Sequence, residues 1–155
     1  LEQVINKNYF KNQTTTNFNA IKNKEITNIM LNKNGLYNNK NIIKLASLDI
    51  LIKNLDTQAL KKYLEDSHIN TNIVSLGFFG NEPAYIIGAE PGDDKSPQLW
   101  VDKTHKFIVK EKTKNQEIIF DKWVGIKTPG GFFPRLITIK DGDTVTNYAI
   151  SEKNS

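Results

Sequence analysis

The sequence predicts a mainly β domain with one helical segment, an α+β fold built on a long antiparallel sheet. Three observations predict it. Seven runs rich in β-branched and aromatic residues follow one another between residues 72 and 151, with separators too short for parallel crossovers. One stretch alone, residues 48–66, carries apolar residues at helical spacing. The first forty residues hold small apolar clusters in a background of Asn and Lys, which reads as weak strands near a sheet edge, where Lys discourages edge-to-edge pairing.

Along the N-terminal third, Val4, Ile5, Tyr9 and Phe10, then Phe18, Ala20 and Ile21, then Ile26, Ile29 and Leu31 predict three short strands. "NKNG" at 32–35 is a turn signal, because Asn and Gly accept positive φ at little cost. From Leu45 the period changes. Leu48, Leu51, Ile52, Leu55, Ala59 and Tyr63 lie on one face of a helix. Ser47 can cap its start and Asp56 a second segment, "TQALKKYLED", so the spacing predicts one kinked helix or two consecutive short ones over 48–66.

After His68 the chain reads as strand and turn. The strands are "NIVSLGFFG" (72–80), "PAYIIGAE" (83–90), "QLWVD" (98–102), "KFIVKEK" (106–112), "QEIIFDKWV" (116–124), "RLITIKD" (135–141) and "TVTNYAIS" (144–151). "TPGGFFP" (128–134) reads as a Gly-rich connection with Phe132 and Phe133 at its tip. A sheet of nine or ten strands curls or splits, so the prediction is a strongly curved sheet or incomplete β-barrel, its trough covered by the helix. Leu99, Trp100 and Val101 are apolar in succession, as are Phe107, Ile108 and Val109. Because strand side chains alternate between faces, both faces need cover there.

The 155 residues fit a single domain spanning 1–155. A chain opening on Leu1 without a charged and then apolar leader reads as one whose signal peptide has been removed, or as a fragment. There is no cysteine, hence no disulfide, thiolate metal site or thiol nucleophile. No run approaches the ~18 apolar residues of a membrane span. The net charge of +4 is carried by Lys, with Arg135 the one arginine. Arginine makes bidentate phosphate and guanine contacts, so nucleic acid is not expected as a partner. Asp93, Asp94, Asp141 and Asp143 lack calcium-loop spacing and read as solvated turn residues. His68, in a helix-exit turn, and His105, in a strand connection, have no nucleophile or metal set beside them in sequence. No cofactor, metal or catalytic residue is expected.

The stretch "FFGNEPAYIIGAEPGDDKSPQLWVDKTHKFIVKEKTKNQEIIFDKWV", with a following Pro-Gly loop and "PRLITIKDGDTVTNYAI", resembles the LolA-like superfamily of periplasmic lipoprotein carriers and outer-membrane lipoprotein-sorting proteins. The resemblance covers about residues 73–150 and rests on the order of the "YIIGA", "LWVDK", "FIVKEK" and "EIIFDKW" strands. It implies a curved antiparallel sheet closed by helices, an apolar cavity for acyl chains, a periplasmic location and a non-enzymatic shuttle for lipid-modified polypeptides. The family usually has an amphipathic helix before its first strand; here strand-like sequence comes first.

The candidate ligand-binding residues are Phe78, Trp100, Phe107, Phe120 and Trp123, whose rings can line an apolar trough, the helix face of Leu48, Leu51, Ile52 and Leu55, and the loop pair Phe132 and Phe133. The loop pair also reads as a docking tip for a membrane or receptor. The expected partners are acyl chains or lipidated proteins. The alternative is an interaction or envelope-assembly domain on the same fold without lipid.

Overall fold

The computed structural model describes residues 16–22, 25–32, 35–38, 41–43, 57–125 and 132–152. In chain order these form β1 (Thr16–Lys22), β2 (Glu25–Asn32), β3 (Gly35–Asn38), β4 (Asn41–Ile43), helix α1 (Thr57–Asp66), β5 (Val74–Phe79), β6 (Glu82–Ile87), β7 (Gln98–Asp102), β8 (Ile108–Lys112), β9 (Gln116–Gly125), β10 (Phe132–Asp141) and β11 (Thr144–Glu152). All eleven strands join one sheet in the order β4-β3-β2-β1-β11-β10-β9-β8-β7-β6-β5, and every neighbouring pair is antiparallel. The sheet is open, with β4 and β5 at its edges. The N-terminal strands do lie at one end of it. The expected strand at Val4–Phe10 and the helix face of Leu48, Leu51, Ile52 and Leu55 fall outside the described residues.

The first and last strands close the order, since β1 pairs with β11 through Ala20↔Ile150 and Ile21↔Ala149. The connection from β4 to β5, which contains α1, therefore joins opposite edges of the sheet. Helix α1 turns Leu60 and Leu64, one turn apart, into the core while Lys61, Lys62, Glu65 and Asp66 stay exposed. It ends where His68 takes φ 62°. The Ile69 N–H then donates to Leu64 O at 2.8 Å and the His68 N–H to Glu65 O at 2.9 Å. These two bonds form a Schellman cap, and its usual apolar contact is supplied by buried Leu64 and Ile69.

Opposed residues in antiparallel strands share a face, so the register sorts the side chains. Ile87, Leu99, Glu111, Ile118 and Ile139 are successive partners across β6 to β10, and Phe120, Ile137 and Tyr148 continue the same face to β11. This face carries the core, together with Leu60, Leu64 and Ile69. Ile86, Trp100, Lys110, Ile119, Thr138 and Asn147 line the other. The succession Leu99-Trp100-Val101 is thus resolved, with Leu99 and Val101 on the core face and Trp100 on the other. In β8, Trp100 pairs with Lys110 and Val101 with Ile108, leaving Val109 as the extra residue of a bulge. That is how Ile108 and Val109 are both buried.

Strands β3 and β4 stand where the sequence reading placed none, and the start of β10 departs from it as well. Phe132 and Phe133 are not a loop tip. They open β10, opposite Gly125 and Val124. Pro134 follows opposite Trp123, at the end of the β9–β10 ladder and beyond the residues paired with β11.

Candidate functional site

The residues at the start of β8 are positioned by one turn. Between β7 and β8 the Asp102 carboxylate accepts the Phe107 N–H on Oδ1 and the His105 N–H on Oδ2, both at 2.7 Å. The Asp102 N–H donates to Phe107 O at 2.9 Å, and Lys106 bends the chain with φ 64°. The aspartate of "LWVDK" is therefore a buried turn organiser, a role the sequence reading did not assign. Asp102→Ala is expected to lower stability by about 2 kcal/mol, since hydrogen bonds to a charged acceptor are worth about 1.5–3 kcal/mol each. Urea unfolding measures it, and Asp102→Asn should recover part of the loss through the one oxygen it keeps.

The turn delivers Phe107 to an aromatic cluster. Its ring stacks on Trp123 with centroids 4.8 Å apart and planes 5° from parallel, stacks on His105 at 5.6 Å, and meets Phe132 at 5.3 Å with a 54° tilt. The Trp123 indole N–H donates to Ile108 O at 3.0 Å. Trp123 follows Lys122, which takes φ 55°, and packs against the core.

The candidate aromatics divide accordingly. Phe107, Phe120 and Phe133 are buried, Trp123 is half-buried, and Phe132 is 36% exposed at the cluster's outer side. Phe107, Phe120 and Phe133 belong to one core cluster against which Trp123 packs, and Phe132 meets it through the Phe107 ring. Trp100 does not join them: its N–H donates to Gln98 Oε1 at 2.7 Å, and Lys110 Nζ lies 4.8 Å from its ring centroid. Buried Gln98 in turn donates to Asp93 O and Ser96 O, which ties the β6–β7 connection down beside Trp100. Phe78 is also apart, on edge strand β5 and 71% exposed. The docking expectation for the loop pair changes as well, since Phe133 is 3% exposed and has no surface to offer.

Sequence reasoning missed Glu111. Its carboxylate is fully buried on the helix-bearing face and accepts the Tyr63 hydroxyl at 3.1 and 3.0 Å on its two oxygens, fastening α1 to β8. The bulge hid it, because a one-residue shift reverses the face on which a strand residue is expected.

On the opposite face Glu117 lies 2.8 Å from Lys110 and 3.8 Å from Lys140. Burial pushes its carboxyl up, but the Lys110 hydrogen bond and charge, with Lys140 and Lys112, outweigh it and hold the group below its ordinary 4.5. A carboxyl lowered by folding stabilises the protein above its unfolded-state pKa and loses that contribution as pH falls through the folded value. Stability is therefore expected to decline with acidification from about pH 4.5 downward. Lys110→Met should raise the Glu117 pKa in a carboxyl-detected NMR titration and flatten that part of the urea-midpoint profile. Asp93 moves in the same direction, through hydrogen bonds from the Ser96 hydroxyl and the Lys95 and Ser96 N–H groups.

Chemically the cluster offers apolar ring surface, and its indole N–H is already committed to a carbonyl. Among the described residues no three acidic, His or Cys side chains group as metal ligands, and no helix is long and apolar enough to cross a membrane.

No family model matches the chain, and no curated protein matches it. Among solved structures it is similar to the crystal structure of a LolA superfamily protein from Nitrosomonas europaea, at 10% identity and a TM-score of 0.44, over 100% of this chain and 92% of that one. Nothing about a ligand or a task follows from a likeness of that size.

Proposed function

We propose that this domain is a non-enzymatic binder of acyl chains or lipid-modified polypeptides, which it holds where Phe107, Trp123 and Phe132 meet. The observation that supports the reading is the continuity of that aromatic cluster with the apolar core on one side and its opening through half-exposed Phe132 on the other. An acyl chain of ~15 carbons gains on the order of 12 kcal/mol on leaving water, at about 0.8 kcal/mol per methylene. Aromatic rings supply wide contact area to receive it.

The reading includes a sheet curved toward α1, so that the helix and the strands flank the ligand. It also includes a periplasmic location, where a carrier of acyl groups has aqueous space to cross. Under α1 itself the face is filled by the protein's own Leu60, Leu64, Leu99 and Ile118. The ligand therefore lies beside the helix, at the Phe132 end.

Native mass spectrometry of protein purified from cells without added lipid tests the reading. Bound acyl mass in the wild type and its reduction in Phe132→Ser are expected. A wild-type protein with no adduct, and none after incubation with a fatty acid, would contradict it. Fractionation of cells expressing the full-length protein tests the location.

A further inference from the structure

Among the described strands of six or more residues, edge strand β5, "VSLGFF", is the one that carries no charged side chain. Val74, Leu76 and Phe78 on it are 60%, 58% and 71% exposed. Natural edge strands are usually blunted by Lys, Pro or a bulge, and β5 has none of these.

Its backbone points the same way as its side chains. Ile73 O accepts the Gly88 N–H at 2.8 Å, continuing the β5–β6 ladder by one pair. In an antiparallel ladder alternate residues face the partner. Ser75, Gly77 and Phe79 therefore turn their N–H and C=O toward β6, and Val74, Leu76 and Phe78 turn theirs outward. The three residues with exposed apolar side chains are thus also the three with outward backbone groups. The opposite flank of β5 is engaged within the chain, where the Ser75 hydroxyl donates to Ala89 O at 2.7 Å.

We infer that β5 pairs antiparallel with β5 of a second copy of this chain, about a two-fold axis at Leu76. That register sets Leu76 opposite its own counterpart and Val74 opposite Phe78 of the other copy, twice. Each of the three residues then exchanges both backbone hydrogen bonds with its partner, and each exposed apolar side chain gains an apolar neighbour on the same face. A second copy meets no electrostatic obstacle despite the net charge of +4, because residues 69–81 contain no ionisable side chain. The two helix-bearing faces come out on the same side of one continuous sheet. The pairing is independent of acyl binding, which is read as bound acyl mass and not as association state.

The chain has no cysteine, so single cysteines report the register without a background. Leu76→Cys places two thiols across the axis with Cα atoms about 5.5 Å apart, within disulfide reach. Val74→Cys, of equal exposure, separates them by ~14 Å along the strand. Rapid disulfide dimer formation under mild oxidation is expected for Leu76→Cys and slow formation for Val74→Cys. In sedimentation velocity the wild type should show a dimer fraction that rises with concentration. Leu76→Lys should weaken it at least about tenfold with unchanged far-UV circular dichroism. A wild type that stays monomeric at every concentration, a Leu76→Lys protein that dimerises as well as the wild type, or equal cross-linking of the two cysteine variants would overturn the pairing.

Discussion

Truncating Phe120 to alanine is expected to lower the free energy of unfolding by about 3–5 kcal/mol. Phe120 is the largest of the fully buried side chains, and Leu99, Ile108, Ile118 and Ile137 are as completely enclosed. It sits opposite Ile137 in the β9–β10 ladder. Strands held in register by backbone hydrogen bonds cannot close on a missing ring, so most of the lost volume would persist as a cavity, and the cavity adds to the transfer cost. Urea unfolding should show a lower midpoint at unchanged slope. A loss below about 1 kcal/mol would mean that the ring faces space the protein does not fill.

Gly88→Ala is expected to cost on the order of 3 kcal/mol, combining backbone strain with overpacking. Gly88 follows β6 with φ 103°, a conformation L side chains rarely adopt. A Cβ there would lie 2.6 Å from Pro97 O and 2.8 Å from Ile69 Cγ2. The isoleucine can shift. The carbonyl cannot, because Gln98, the next residue, is fixed at the start of β7 by its bonds to Asp93 and Ser96. The Gly88 N–H also anchors Ile73 beside β5, so the variant should loosen the β5 edge first. Hydrogen exchange at β5, compared with the global loss from urea unfolding, would show this. A cost within a few tenths of a kcal/mol would contradict the close approach.

Most strands from β5 onward were legible because each is a short run of β-branched and aromatic residues bounded by turn residues, and Gln98–Asp102 stands with the bounds its composition predicts. The start of β10 was not legible. Two glycines and two prolines around Phe132 and Phe133 spell a loop by local rules. Pro134 stands in a strand because it falls at the end of the β9–β10 ladder, a tertiary fact invisible in sequence. The β1–β11 pairing, which makes one sheet of two meanders and leaves α1 to bridge its edges, was equally hidden, because non-local pairing leaves no mark on either strand.

The site was legible in kind and not in arrangement. Aromatic content marked Phe107, Trp123 and Phe132 as candidates, yet their meeting depends on the Asp102 turn that delivers Phe107 and on the pairing that sets Phe132 opposite Gly125. Neither has a signature in the sequence. Trp100 was placed with Trp123 by residue type, but Trp123 stacks on Phe107 while Trp100 bonds Gln98 beside Lys110. Asp102 and Glu111 carry no motif. Their roles follow from burial next to Phe107 and Tyr63.

Trp123, stacked on Phe107, and Trp100, beside Lys110, offer the sharpest test of where the ligand lies. A brominated fatty acid, titrated below its micellar concentration, quenches indole emission only at short range. In a Trp100→Phe protein the remaining Trp123 emission should fall saturably, and in a Trp123→Phe protein the Trp100 emission should stay constant. Quenching of Trp100 as strong as that of Trp123, or quenching of neither, would contradict an acyl site at the cluster of Phe107, Trp123 and Phe132.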